Sequence, residues 1–292
     1  MDVRLWIVPF ALLLLGAGGC GTSAVLLDSE GEPSASSWAS PSPSPPFDPE
    51  ELADRLVGLQ PQWPRNTLPR SPGARGINCR RVRCVALTFD DGPGEYTGRL
   101  LDILARHRAR ATFFVLGRMA AEDRGENLRR MVTEGHEIGN HTWNHLPLTQ
   151  LSPGRIRFEL VNTQKVVRRL TGVRMTVMRP PYGSTNAKVA AEARREGLAQ
   201  VLWDVDTLDW RDRNPSLVTQ RATQTGPGSI VLMHDIHPTT VEAVPAILDQ
   251  FAKRGYAFVT LSELYGVRRL IPGRQYTSQK DGIRGTPPAA IP

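Results

Sequence analysis

Long apolar runs are missing from this 292-residue chain. Its most apolar stretch, Leu5 to Leu15, falls short of the about 20 residues that a membrane-spanning helix needs. Cysteine is scarce, three in all, which argues against a thiolate-rich zinc module or a disulfide-dense fold. Lysine is scarcer than arginine, supplying four of the 36 cationic side chains. The arginines are scattered, no block of five or more like charges occurs, and no nucleic-acid-binding motif or internal repeat is present. The net charge of +7 and pI of 9.8 therefore suit a membrane surface or an anionic wall, with no nucleic-acid partner expected. The length allows one large or two modest domains, with enough chain to bury a core.

What is present begins at the amino terminus. Arg4, the apolar run and Gly16-Ala17-Gly18-Gly19-Cys20 have the layout of an export signal with small residues at the cut. A cysteine directly after small residues also resembles a bacterial lipoprotein processing site, which would make Cys20 the lipidated first residue and a membrane anchor. Ala17 stands where leucine is usual and MDVR carries one basic side chain. A plain secretory signal or an uncleaved anchor is the alternative. Either way the chain is exported. Residues 21–76 read as a Ser/Pro-rich spacer, SASSWASPSPSPP at its centre, with a short helix over Phe47 to Leu59. In an oxidising compartment Cys79 and Cys84 of INCRRVRC form a C-x4-C pair that closes a small disulfide loop, since a zinc site would need two more ligands that the neighbourhood lacks. Residues 267–292 turn Gly/Pro-rich and polar, and disorder is expected there.

Between these ends, residues 77–266 alternate β-prone apolar runs with helical patterns. The runs are VALTFD, ATFFVLG, HEIGNHT, TVMRPP, AQVLWDVD, SIVLMHD and YAFVTL. One helix places Leu100, Ile103, Leu104 and His107 on one face. Another opens with Ser152 as N-cap and Pro153 at its first position, and a third starts at Asn214-Pro215. Thr239 and Glu242 read as a capping box, with Pro245 blurring that boundary. Seven strands alternating with helices imply an α/β fold with a parallel sheet. Asp90 and Asp91 end the first strand, His141 and His145 follow the third, and Arg179 ends the fourth. Asp206 and Asp209 follow the fifth, and His234 ends the sixth. The carboxyl ends of parallel strands share one face, so these groups converge on one site.

In LTFDDGP two adjacent carboxylates repel each other and need a cation or a basic partner. His141 and His145 have the H-x3-H spacing that lets two imidazoles grip one metal from a helix or compact turn. With one aspartate they make the His2Asp set of a catalytic centre that keeps an open position. The other aspartate is left free to take a proton from water. Here the residues resemble a known family. TFDDGP, HTWNH, RPPYG, DTLDW and LMH stand in the order and near the spacing of the polysaccharide deacetylases (the NodB-homology, carbohydrate esterase family four enzymes) over about residues 77–266. The resemblance implies a distorted, incomplete parallel (β/α) barrel and metal-dependent removal of acetyl groups from N-acetylated sugars. It assigns Asp91, His141 and His145 to the metal and Asp90 to the general base, held ionised and oriented by Arg179. The Tyr182 N–H would steady the oxyanion, His234 would be the general acid tuned by Asp209, and Trp210 and Leu232 would shape the acetyl pocket.

The cation expected is a single divalent ion, zinc first, with cobalt or another divalent ion as alternatives. The substrate expected is a cell-wall glycan outside the membrane, peptidoglycan ahead of chitin, turned over by a monomer. An O-acetyl esterase and a non-catalytic glycan-binding module are the competing functions. Asp204 and Asp206 read as solvated carboxylates, and His107, His136 and His237 as non-functional, with His237 near enough to His234 to reach the rim.

Overall fold

Nine strands, all paired in parallel, carry the architecture of the computed structural model, which describes residues 75–266 and 270–284. They are β1 (Cys84–Asp90), β2 (Thr112–Val115), β3 (Glu137–Asn140), β4 (Val177–Met178), β5 (Ala199–Val201), β6 (Val205–Asp206), β7 (Ser229–His234), β8 (Ala257–Phe258) and β9 (Gln275–Tyr276). The helices are α1 (Thr97–Arg106), α2 (Gly117–Glu122), α3 (Glu126–Thr133), α4 (Pro153–Thr171), α5 (Ala187–Arg195), α6 (Asp209–Asp212), α7 (Pro215–Thr223), α8 (Pro238–Lys253), α9 (Leu261–Tyr265) and α10 (Gln279–Arg284). The export signal, Cys20 and the expected helix over residues 47–59 lie outside the described residues.

The sheet runs β6-β7-β1-β2-β3-β4-β5-β9, with β8 on the start of β1, and its two end strands do not pair. It is a barrel left open on one side. The expected strand AQVLWDVD breaks at this opening. Leu202 donates to the Tyr276 carbonyl (2.8 Å) and Asp204 to the Ile230 carbonyl (3.3 Å), so the chain crosses from the β9 edge to the β7 edge between β5 and β6.

Strand periodicity then places the polar groups. Val85, Leu87 and Phe89 of β1 join the core beneath the helices, while Cys84 and Ala86 face the second, inner cluster. Thr88 and Asp90 continue that inner series to the carboxyl end, and in β7 Leu232 and His234 continue it from Ile230. Both faces of β1 are buried, as suits a strand inside a parallel sheet.

Local signals held at two helix starts. The Ser152 side chain accepts from the Arg155 N–H, and Asn214 accepts from Ser216 and Leu217. At α8 the expectation fails: the helix opens at Pro238 with His237 as N-cap, so Thr239 is already inside and forms no capping box. Pro238 suits that first position, and α8 continues through Pro245 because Val241, Val244, Ile247, Leu248 and Phe251 bury its face. The polar segment after residue 266 also differs from expectation. From Leu270 to Arg284 it adds β9 to β5 and α10 after it, with Tyr276 1% exposed. An edge strand needs little apolar sequence of its own when a neighbour supplies its ladder, and two residues suffice here. The fold also begins earlier than residue 77, since Arg75 pairs with Glu263 at 2.9 Å. Cys79 and Cys84 are disulfide-bonded, with Cα atoms 5.4 Å apart, at the entry to β1.

Candidate active site

At the end of β1 the two carboxylates diverge. Asp90 finishes the inward series, whereas Asp91 turns into the left-handed region at φ 74°. The turn is pinned to β2 by the Asp91 N–H on the Phe114 carbonyl (3.2 Å) and by the Leu116 N–H on the Gly92 carbonyl (3.1 Å). Thr142, His145 and Tyr182 also have positive φ, at 72°, 59° and 60°. Such backbone is costly for non-glycine residues and gathers where a site over-determines it.

Asp91, His141 and His145 bring one ligand atom each within 4.8 Å of one another. The Nε2 atoms of His141 and His145 stand 3.5 and 3.4 Å from Asp91 Oδ1. That oxygen is buried and has no hydrogen-bond partner among the described residues. A bare buried carboxylate oxygen facing two imidazole nitrogens fits a divalent cation. His141 Nδ1 lies 2.7 Å from the Arg179 carbonyl, which only accepts, so Nδ1 carries the proton and Nε2 keeps its lone pair for the centre. Burial lowers the His141 pKa to about 3 against the opposing pull of Asp91, leaving the imidazole neutral, as a ligand must be. The ring of Tyr182 packs edge-on against that of His145, with centroids 4.7 Å apart.

The histidine loop is not helical. Its shape comes from Glu159 on α4, fully buried. One carboxylate oxygen of Glu159 accepts from the Trp143 and Asn144 N–H groups (2.9 and 2.7 Å), and the other from the Asn144 amide (3.1 Å). The sequence reading missed Glu159, although a signal existed: a carboxylate sits on the apolar stripe between Ile156 and Leu160.

Arg179 joins the two halves of the site. Its guanidinium, wholly buried, donates to Asp90 Oδ1 (2.7 Å), Thr88 Oγ1 (2.8 Å) and the carbonyls of Val201 and Leu202 (3.0 and 2.8 Å). Phe114 lies across it, 4.2 Å from ring centre to guanidinium carbon. The arginine is therefore no simple strand-end ion pair. Burial raises the Asp90 pKa above its ordinary value, and Arg179 and then His234 pull against that rise. A carboxylate of raised pKa is the better proton acceptor near neutrality.

Across the β1–β7 ladder Asp90 is in register with His234. His234 Nδ1 donates to Asp209 Oδ1 at 2.8 Å. Asp209 Oδ2 accepts from the His234 N–H and from Thr240 Oγ1, both at 2.7 Å. Burial opposes the imidazolium, but the hydrogen bond and charge of Asp209, with Asp90 and Asp91 behind it, push its pKa up to about 9. Leu232 is buried one step below His234 on the same face, and Trp210 at the start of α6 is 47% exposed. The Tyr182 N–H makes no hydrogen bond among the described residues, and the residue is 68% exposed. Asp206 accepts from the Leu208 N–H (2.8 Å), and Asp204, exposed as expected, also accepts from the Ser229 hydroxyl and the Ile230 N–H. His136 is core, its Nδ1 accepting from the Ala111 N–H (3.1 Å), while the His237 ring lies 6.0 Å from that of His234.

The open parallel barrel thus brings a His2Asp group, a buried carboxylate and a carboxylate-paired histidine to one rim, a donor set that fits a divalent cation. The chain belongs to the polysaccharide deacetylase family, whose profile matches residues 78–201. It is 39% identical over 237 residues to the peptidoglycan-N-acetylglucosamine deacetylase PgdA of Listeria monocytogenes, covering 80% of this chain and 50% of that one. The present chain thus spans half the length of that relative. It is 36% identical to the chitooligosaccharide deacetylase of a Bradyrhizobium strain, over 63% of this chain and 91% of that one. Among solved structures, the T48 deacetylase with substrate is 42% identical, with a TM-score of 0.66 over 69% of this chain and all of that one. The family match stops short of Asp209 and His234, so their half of the site rests on the geometry above.

Proposed function

We propose that this protein hydrolyses N-acetyl groups on an N-acetylglucosamine-containing polysaccharide, with peptidoglycan as the polymer. The observation that carries the reading is the separation of roles between adjacent aspartates: Asp91 faces two imidazoles, and Asp90 is paired with Arg179 beside a high-pKa histidine. Asp91, His141 and His145 would hold one divalent cation, zinc by preference. Such an ion polarises the acyl oxygen and acidifies water. Asp90 takes a proton as water adds to the acetyl carbon, kept in place by Arg179. The Tyr182 N–H donates to the developing oxyanion. Protonated His234, oriented by Asp209, then gives its proton to the leaving nitrogen. The C–N bond breaks to release acetate and leave a free amine on the sugar. Leu232 and the exposed Trp210 would enclose the acetyl methyl.

An acid with pKa about 9 matches a basic amine leaving group, which supports amide over ester hydrolysis. The name of the Listeria relative supports peptidoglycan, and that of the Bradyrhizobium relative keeps shorter chitooligosaccharides as the second reading. Export by residues 1–20, with Cys20 as the lipidated residue, would set a monomeric catalytic domain near the wall on the 21–76 spacer. Acetate release from N-acetylated peptidoglycan tests the whole reading. Release should vanish on chelation, return with zinc or cobalt, and be absent in Asp90→Asn. Glycan binding without release under every metal would instead establish a binding module.

A further inference from the structure

Asp235, next to His234 and without a part in the chemistry above, is fully buried. Its Oδ2 accepts from the Thr97 hydroxyl, and its Oδ1 has no hydrogen-bond partner among the described residues. Thr97 Oγ1 in turn accepts from the Gly94 N–H at 2.8 Å. The carboxyl group thus lies under the Asp91-Gly92-Pro93-Gly94 turn. A Cβ on Gly92 would lie 2.5 Å from both Asp235 oxygens, closer than real Cβ contacts come, and one on Gly94 would lie 3.1 Å from Ile236 Cγ2. Gly92 does not have positive φ, so its missing side chain answers a need for space, not for backbone freedom.

We propose that Asp235 is the positioning residue of the metal-carboxylate turn: its side chain fills the space that Gly92 leaves free and sets the direction in which Asp91 presents its bare oxygen. From the β2 side the turn is held by hydrogen bonds to Phe114 and Leu116, and from the β7 side it is held by Asp235 and Thr97. Without the second support, Asp91 is free to swing at its left-handed φ, and a ligand displaced by a fraction of an ångström binds a cation less well. The glycine of LTFDDGP and the aspartate of LMHD are therefore one device, joined across a sequence separation of 143 positions from Gly92 to Asp235.

This inference rests on Asp91 being a metal ligand, and the two stand apart in the test because Asp91→Ala examines the ligand alone. Zinc affinity of the full chain would be measured by competition with a chromophoric chelator, with the cobalt absorption spectrum as a second readout and melting of the apo-protein as the fold control. Asp91→Ala should lose measurable zinc binding, and its failure to do so overturns the ligand assignment. Asp235→Ala and Gly92→Ala should each weaken zinc about tenfold to a hundredfold, the range typical of lost outer-shell support. Asp235→Asn, which keeps the shape, should stay within about threefold, since a shape-conserving change retains the support. The decisive variant is Gly92→Ala/Asp235→Ala, in which the new methyl enters the vacated space. It should bind zinc more tightly than Gly92→Ala alone and show a cobalt spectrum closer to the native one. A double variant whose loss is the product of the two single losses overturns the proposal, as does Asp235→Ala with lowered melting but native zinc affinity. If Asp235→Ala does not fold, Gly92→Ala and Thr97→Val decide: native zinc affinity in both overturns the proposal.

Discussion

The Asp209→Asn substitution isolates the acid half of the site. In the native protein the His234 pKa stands at about 9 against an ordinary 6.5, a gap of roughly 3 kcal/mol at 1.36 kcal/mol per unit. Burial works against that gap, so the carboxylates supply all of it, Asp209 first. Asparagine keeps the size and one acceptor but removes the charge, and it presents either an N–H or a weaker oxygen to Nδ1. We expect the His234 pKa to fall by about two units, which at pH 8 converts a mostly protonated acid into one about a tenth protonated. Loss of tautomer and orientation adds to that, and kcat at pH 8 should drop by about 10²–10³. The assay is the pH dependence of kcat from acetate release between about pH 5.5 and 10. The native alkaline limb should fall near pH 9, and the variant limb near 7. Stability should follow the same group. A folded pKa above the unfolded one stabilises fully below 6.5 and loses that contribution as pH rises through 9. The native protein should therefore lose stability across that window and Asp209→Asn much less. An unmoved alkaline limb in the variant would refute the pairing as the source of the acid.

Other perturbations reach the remaining supports. Glu159→Ala leaves the Trp143 and Asn144 backbone N–H groups without their buried acceptor, and zinc affinity measured by chelator competition should weaken about tenfold to a hundredfold. Arg179→Met leaves the Asp90 carboxylate buried and unpaired and frees two carbonyls; denaturant unfolding should show a loss of about 3–5 kcal/mol, with activity abolished. Replacing Cys79 and Cys84 by serine opens a loop with sequence separation 5, which by chain entropy contributes about 2 kcal/mol. For a domain of this size that is about 4–8 °C in Tm by calorimetry, with kcat unchanged.

The rim was legible because strand sequence carries period and polarity together. VALTFD and SIVLMHD each show an apolar run ending in ionisable residues, and a parallel sheet puts such ends on one face. The three candidate ligands, Asp90, Arg179 and His234 converge there as expected. What stayed hidden was contributed by partners remote in sequence. Glu159 acts on a loop 15 residues before it, and β9 exists only because β5 offers it an open edge. AQVLWDVD reads as one strand because nothing local records that the barrel is open, so that its two halves belong to opposite edges. The capping box at Thr239 failed for a local reason: Pro238 starts the helix two residues sooner than the pattern requires.

Adjacency of Asp90 and Asp91 looks like a liability in the sequence and is resolved by backbone geometry. Asp90 keeps strand conformation and so points along the inner series toward Arg179. Asp91 enters left-handed conformation and turns its carboxylate to the histidines. On the proposed reading the two carboxylates have different counter-charges, a fixed guanidinium for one and an exchangeable cation for the other. Two environments push neighbouring groups of identical chemistry apart in function. The split needs Asp91 to hold positive φ, and the turn that imposes it is wedged between β2 and the residues after β7. That places the end of β7, through His234 and Asp235 together, on both sides of the problem: one residue stands in register with Asp90 and the next lies under the Asp91 turn.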